Sequence, residues 1–178
     1  VLSGLAMQMI GNSRPASGAE HHLVHLWDME VVNGHLDALH GEKVSAGTML
    51  VLLEYKKIAD AIRKGNCKVH TCTEEDRELL QSTFGKKGIL GAIEKENTPE
   101  LLDDVSTKEL SDTLPGILKI IDALPAVTDM QEMMNTAGCV SRVRDIGLPG
   151  EVIEESLRLA PYTRRRLSLL RLRKMLTY

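Results

Sequence analysis

Apolar residues along this chain recur with the three-to-four spacing of helices, and no segment alternates with a period of two over a strand's length. Residues 1–10 read as a buried helix closed by Gly11-Asn12. Pro15 drives Arg14 out of the helical region, so residues 13–16 read as a loop. Ser17 and Glu20 then form an S-x-x-E capping box, which predicts a helix with Ser17 as N-cap and His21 at its fourth position. That helix is expected to reach Val32 and stop at Asn33-Gly34. The longest stripe follows over residues 43–64, where Val44, Ala46, Met49, Leu50, Leu53, Ile58, Ala61 and Ile62 share a broad apolar face that Gly65 ends.

The second half continues in the same manner. Thr73-Glu74-Glu75-Asp76 signals a short helix stopping near Phe84-Gly85, and residues 86–97 carry no clear assignment. Thr98-Pro99-Glu100 places an N-cap and an N1 proline at a further start. Residues 106–109 cap another helix, which Pro115 is expected to kink or split. Helices also fit residues 126–136, 150–159 and 163–176. The predicted fold class is therefore all-α: a single domain over residues 1–178, built as a helical bundle of about eight or nine helices with short loops.

Composition sharpens this picture. Aromatic residues make up 3%, with Phe84 and Trp27 the sole representatives of their kinds, which favours helix packing over a sheet. Met7, Met9, Met29, Met133 and Met134 are read as core filler. Twenty-two Lys and Arg against 25 Asp and Glu leave a formal charge of -3, which gives no reason to expect nucleic acid or a membrane surface as partner. No apolar run reaches the roughly 18–20 residues that span a bilayer. Three cysteines without framework spacing suggest reduced thiols and a cytoplasmic protein. The chain opens apolar and periodic, without Met or a targeting segment, and is expected to continue something longer.

The chemistry concentrates in the histidines. His21 and His25 lie one helical turn apart on one face, and His40, beside Gly41, adds a third imidazole; convergent neutral imidazoles suit a transition metal. The spacing resembles that of H-E-x-x-H sites, but Glu20 precedes the first histidine, so no zincin-type base is in place. His22 points about 100° away on the same helix. A rival cluster, Cys67, His70 and Cys72, offers three ligands and no fourth, and is the weaker candidate. Arg164-Arg165-Arg166 with Arg171 and Arg173 are either an anion site or, the favoured reading, the solvated face of an amphipathic helix packed through Leu167, Leu169, Leu170 and Leu172. Arg14 and Lys43 are candidates for holding an anionic substrate, and the capped helix start near Gly18 to Glu20 adds its dipole.

The string Ser13-Arg14-Pro15-Ala16-Ser17-Gly18-Ala19-Glu20-His21-His22, with His40-Gly41-Glu42-Lys43-Val44 and Gly47-Thr48, resembles the sn-glycerol-1-phosphate dehydrogenase family. That family is a branch of the superfamily of iron-containing alcohol dehydrogenases and glycerol dehydrogenases. The resemblance implies a two-domain enzyme with an N-terminal Rossmann-like cofactor domain, absent from this chain, and a dehydroquinate synthase-like helical C-terminal domain, which this chain represents. It implies one divalent metal, zinc or nickel in this branch and iron or zinc in relatives, held by an aspartate and two histidines. The histidines match His21 and His40, and the aspartate falls before Val1. His25 matches a family histidine beside the substrate and is the catalytic candidate.

The implied reaction is hydride transfer between NAD(P)H and dihydroxyacetone phosphate, giving sn-glycerol 1-phosphate. Arg14 and Lys43 are the expected substrate-binding cations, and no residue of this chain is assigned to the nicotinamide cofactor. The implied partners are the N-terminal domain, a small phosphorylated three-carbon substrate and further copies of the chain. On this reading the chain alone is inactive. Two rivals stand beside it: a glycerol or alcohol dehydrogenase of the same superfamily, against which Ser13-Arg14-Pro15 counts, and a non-catalytic helical interaction domain.

Overall fold

The longest helix, His40–Arg63, rises about 36 Å, and the helices Ala19–Asp28, Thr107–Asp122 and Val127–Thr136 pack against it. The computed structural model describes residues 2–72 and 76–178, so the Thr73-Glu74-Glu75 part of the helix-start signal lies outside the described residues. In chain order the helices are α1 (Leu2–Ile10), α2 (Ala19–Asp28), α3 (His40–Arg63), α4 (Arg77–Phe84), α5 (Leu90–Glu96), α6 (Thr107–Asp122), α7 (Val127–Thr136), α8 (Ile153–Leu159) and the single turn α9 (Leu169–Leu172). Short 3₁₀ turns join several of them. The architecture is all-α, as the periodicity predicts; among the described residues the one departure is a two-residue antiparallel ladder, β1 (Lys68–Val69) against β2 (Leu176–Thr177).

Two apolar cores lie along α3. The larger gathers Leu23, Leu26 and Trp27 of α2 with Ala46, Leu50 and Val51 of α3, and closes with Phe84, Leu157, Leu159 and Leu170. Trp27 is fully buried, and its indole N–H donates to the buried Ser156 hydroxyl at 3.0 Å. The smaller core sets Ile58 of α3 against Leu102, Leu110, Leu114 and Met175. Where α2 crosses α3 the two backbones nearly touch. A Cβ built on Gly47 would lie 3.2 Å from the carbonyl oxygen of Glu20, closer than ordinary packing permits.

Several local expectations change under tertiary context. Gly18, not Ser17, is the N-cap of α2, so His21 is its third residue; Ser17 instead closes the 3₁₀ turn over Arg14–Ala16. α2 ends at Asp28 because Glu30 takes a left-handed φ of 52°, a conformation that cannot continue a helix. Asn33 still acts as a stop signal, since its amide donates to the Trp27 carbonyl at 3.2 Å. α3 begins at His40, where Leu39 is extended and the Glu42 carboxylate accepts from the Leu39 N–H.

Thr98-Pro99-Glu100 starts no helix; residues 101–104 form turns instead. The Ser106 cap does form, with its hydroxyl accepting from the Glu109 N–H, and α6 runs through Pro115 unbroken. Residues 163–176 reduce to one helical turn flanked by 3₁₀ segments. Met9 and Met133 are 87% and 51% exposed, so they are not core filler, whereas Met49 and Met175 are.

The Gly47 contact predicts a stability asymmetry. Gly47→Val should cost about 1–3 kcal/mol by chemical denaturation, because the neighbouring atom is helix backbone and cannot yield as a side chain does. Gly116→Ala, in open space within α6, should instead gain about 0.5–1 kcal/mol through helix propensity. Equal effects at the two glycines would show that the α2–α3 approach is not tight.

Candidate metal centre

The first turn of α2 organises the site. Gly18 is extended, and its N–H donates to the Glu20 carboxylate at 2.8 Å. The other contact of that carboxylate oxygen is His21, at 2.9 Å from Nδ1. Burial pushes the Glu20 pKa up, but its hydrogen bonds with His21 and with backbone N–H groups outweigh this and hold it below the usual carboxylate value. An ionised acceptor places the imidazole proton on Nδ1 and leaves Nε2 with a free lone pair.

His40 stands at the first position of α3, exposed to solvent, and no described hydrogen bond occupies its ring nitrogens. Its ring lies 5.6 Å from that of His21, centre to centre, with planes at 54°. Two imidazoles on one tetrahedral ion, each with a metal–nitrogen bond of about 2.0–2.1 Å, have ring centres about 5 Å apart. The pair therefore fits a shared divalent cation, and Glu20 behind His21 is the carboxylate partner that such ligands commonly have. Among the described residues no third His, Cys, Asp or Glu completes the set.

His25 lies one turn beyond His21 and is half-buried. Burial lowers its pKa, Arg164 adds to this, and His21 and His40 contribute in the same sense, while Asp28 opposes them. The structure thus brings His21, His25 and His40 within electrostatic range of one another. Lys43 joins the edge of this group only through a salt bridge of 2.7 Å to Asp28. Arg14 sits elsewhere. It is exposed on the 3₁₀ turn before α2 and lines a separate concavity with His22 and Arg166.

His22, turned away from His21 on the same helix, is 1% exposed, and neither ring nitrogen has a hydrogen-bond partner. Burial, reinforced by Arg166 and Arg171, pushes its pKa down to about 4, so it is neutral at physiological pH. Arg171 does not belong to a solvated face. It is 1% exposed, binding Glu100 at 2.7 Å, the side-chain oxygen of Asn97 and the carbonyls of Pro161 and Arg164. Cys67 and Cys72 pack partly buried against the smaller core, where burial raises both thiols above their usual pKa. Sequence reasoning assigned Glu20 to capping alone; its direct adjacency to His21 was the available signal for the second role.

Comparison with curated proteins gives a consistent result. The chain is 33% identical over 171 residues to glycerol-1-phosphate dehydrogenase (NAD(P)+) of Halalkalibacterium halodurans, covering 96% of this chain and 35% of that protein. It is 26% identical to the protein of that name from Geobacillus stearothermophilus, over 89% of this chain and 32% of the relative. A 67-residue stretch is 43% identical to the protein of the same name from Methanococcoides burtonii. The chain thus spans about a third of the length of the curated relatives it matches most fully. No family model matches it, and no solved structure does. No described helix is long and apolar enough to cross a membrane.

The Glu20–His21 contact has a direct spectroscopic consequence. In the metal-free protein near neutral pH, long-range ¹H–¹⁵N correlation spectra should show His21 as the Nδ1–H tautomer. Glu20→Ala should shift it towards the Nε2–H form that free imidazoles prefer. An Nε2–H tautomer in the unaltered protein would overturn the assignment.

Proposed function

We propose that this chain, which belongs to the glycerol-1-phosphate dehydrogenase family, contributes the metal-binding and substrate-binding part of an enzyme that interconverts dihydroxyacetone phosphate and sn-glycerol 1-phosphate with NAD(P)H. The observation that carries this reading is the convergence of His21 and His40 from two helices, with Glu20 behind the first. The nicotinamide-binding domain belongs, on this reading, to the two thirds of the relatives' length that the chain does not span, as does a third, aspartate ligand. Self-association of the complete enzyme is part of the same proposal.

His21 and His40 would hold the ion through imidazole nitrogen, a donor type that suits zinc, nickel and iron. When bound, the cation supplies Lewis-acid polarisation of a ketone oxygen. His25, whose pKa burial lowers, lies one turn along the same face and is the hydrogen-bond partner of a substrate hydroxyl beside that centre. Of the two substrate cations, Lys43 is already bound to Asp28, whereas Arg14 makes no described hydrogen bond or ion pair through its guanidinium. Arg14 lines the separate concavity beside α2, so its role requires the substrate to extend from the histidine pair to that flank, where its guanidinium offers charge-assisted hydrogen bonds to the phosphoryl group.

Two outcomes test this. In an enzyme containing this chain and its cofactor domain, His21→Ala or His40→Ala should remove most bound metal and nearly all turnover, while His22→Gln leaves the metal content unchanged. Equal metal in the unaltered and His21→Ala proteins, measured by atomic emission, would refute the ligand assignment. Separately, Arg14→Ala should raise the KM for dihydroxyacetone phosphate about tenfold or more while scarcely changing that for unphosphorylated dihydroxyacetone. A similar rise for both ketones would mean that Arg14 supports the loop and does not read the phosphate.

A further inference from the structure

The Gly47 contact holds α2 against α3 at one point, where the Glu20 carbonyl rests, and one point does not fix the angle between two helices. His21 stands beside that point, whereas His40 lies seven residues before Gly47, about 10 Å along α3. A rotation of about 5° about the contact carries His40 about 1 Å from its place. The ring centres are 5.6 Å apart, so a shift of that size decides whether both imidazoles reach one ion. Apolar packing alone sets crossing angles only to within about 15–20°.

One polar contact supplies the second point. Asp28, the last residue of α2, accepts from the Lys43 ammonium of α3 at 2.7 Å. Among the described residues this is the one side-chain hydrogen bond that joins the two helices. The Lys43 side chain is only 13% exposed, so salt and water screen the bond less than they screen an open surface pair. The helix dipoles oppose both charges: a carboxylate at a helix C-terminus and an ammonium near a helix N-terminus each stand at the end that disfavours them. Neither helix gains from its own charge, so what the pair stabilises is the contact between the helices.

We infer that the Asp28–Lys43 ion pair sets the angle at which α2 crosses α3, and with it the spacing of the His21 and His40 imidazoles. Asp28 and Lys43 are positioning residues, acting on a metal only through the two histidines. The consequence for metal binding rests on the reading proposed above; the spacing of the rings does not.

The sign of two charge removals tests this. A cation beside the histidines is attracted by Asp28 and repelled by Lys43. A direct field would therefore weaken zinc binding in Asp28→Asn and strengthen it in Lys43→Met. Positioning instead weakens both, by about tenfold, the loss typical of a contact that orients a metal ligand. The affinity is read by competition with a chromogenic zinc chelator, in an enzyme containing this chain and its cofactor domain. The reversed pair, Asp28→Lys with Lys43→Asp, should recover most of the loss. Lys108→Met, in the exposed Lys108–Asp112 pair of α6, should lose nothing. Tighter or unchanged binding in Lys43→Met, or no recovery in the reversed pair, would overturn the inference. A second readout needs no metal. Nuclear Overhauser cross-peaks between the His21 and His40 rings should be present in the metal-free chain and weaken in Asp28→Asn, a near-isosteric change that retains the fold. Unchanged cross-peaks would also overturn the inference. An unaltered enzyme that binds no zinc counts against the metal reading alone, and the cross-peaks then decide the spacing.

Discussion

The rest of this structure depends on how closely α2 is allowed to approach α3. The approach is set by a single missing side chain: the carbonyl of Glu20 rests over Gly47, where a Cβ would be 3.2 Å away. Ala19 and Ala46, both buried, keep the surrounding contact equally shallow. With the helix axes held this near, residues at the start of each helix are brought together although they are nineteen positions apart. His21 and His40 face one another because the two backbones meet at Gly47 and not because either segment specifies its partner.

Glu20 joins packing to chemistry. Its carbonyl makes the helix contact, while its carboxylate satisfies the N–H of the N-cap Gly18 and orients the His21 imidazole. A helix N-terminus favours an anion, so one carboxylate serves the helix and the ligand at the same place. The neighbouring histidine is treated in the opposite way. His22 has arginines where His21 has a carboxylate, and burial with the same positive field keeps it neutral. Two adjacent residues of one type thus acquire different chemistry from the two sides of a single helix.

The arginine-rich segment that creates this second environment is held in place by Arg171. Its buried guanidinium ties together Glu100, Asn97 and the carbonyls of Pro161 and Arg164. The Arg164 carbonyl is available because the chain leaves the helical conformation there. A continuous helix over residues 163–176 would take up that carbonyl internally and remove one of the acceptors of the buried guanidinium. The nonhelical path in turn carries Arg165 and Arg166 to the flank of α2.

Much of this was legible without coordinates. The all-α class, the long apolar helix, the Ser106 cap and the pairing of His21 with His40 rest on periodicity, on local hydrogen-bond chemistry or on a motif resemblance, each carried by the order of residues. The exchange of Ser17 for Gly18 as N-cap, the early end of α2 at a left-handed Glu30, the burial of Arg171 and the isolation of His22 were not. Each turns on whether a distant group supplies a partner or excludes water, as Lys87 and His35 do at Glu30 and as the arginines do at His22. Local sequence sets the conformations a segment can adopt. Which one is taken, and whether its polar groups end up paired or orphaned, is decided only when the elements pack, because desolvation depends on neighbours that lie far apart in the chain.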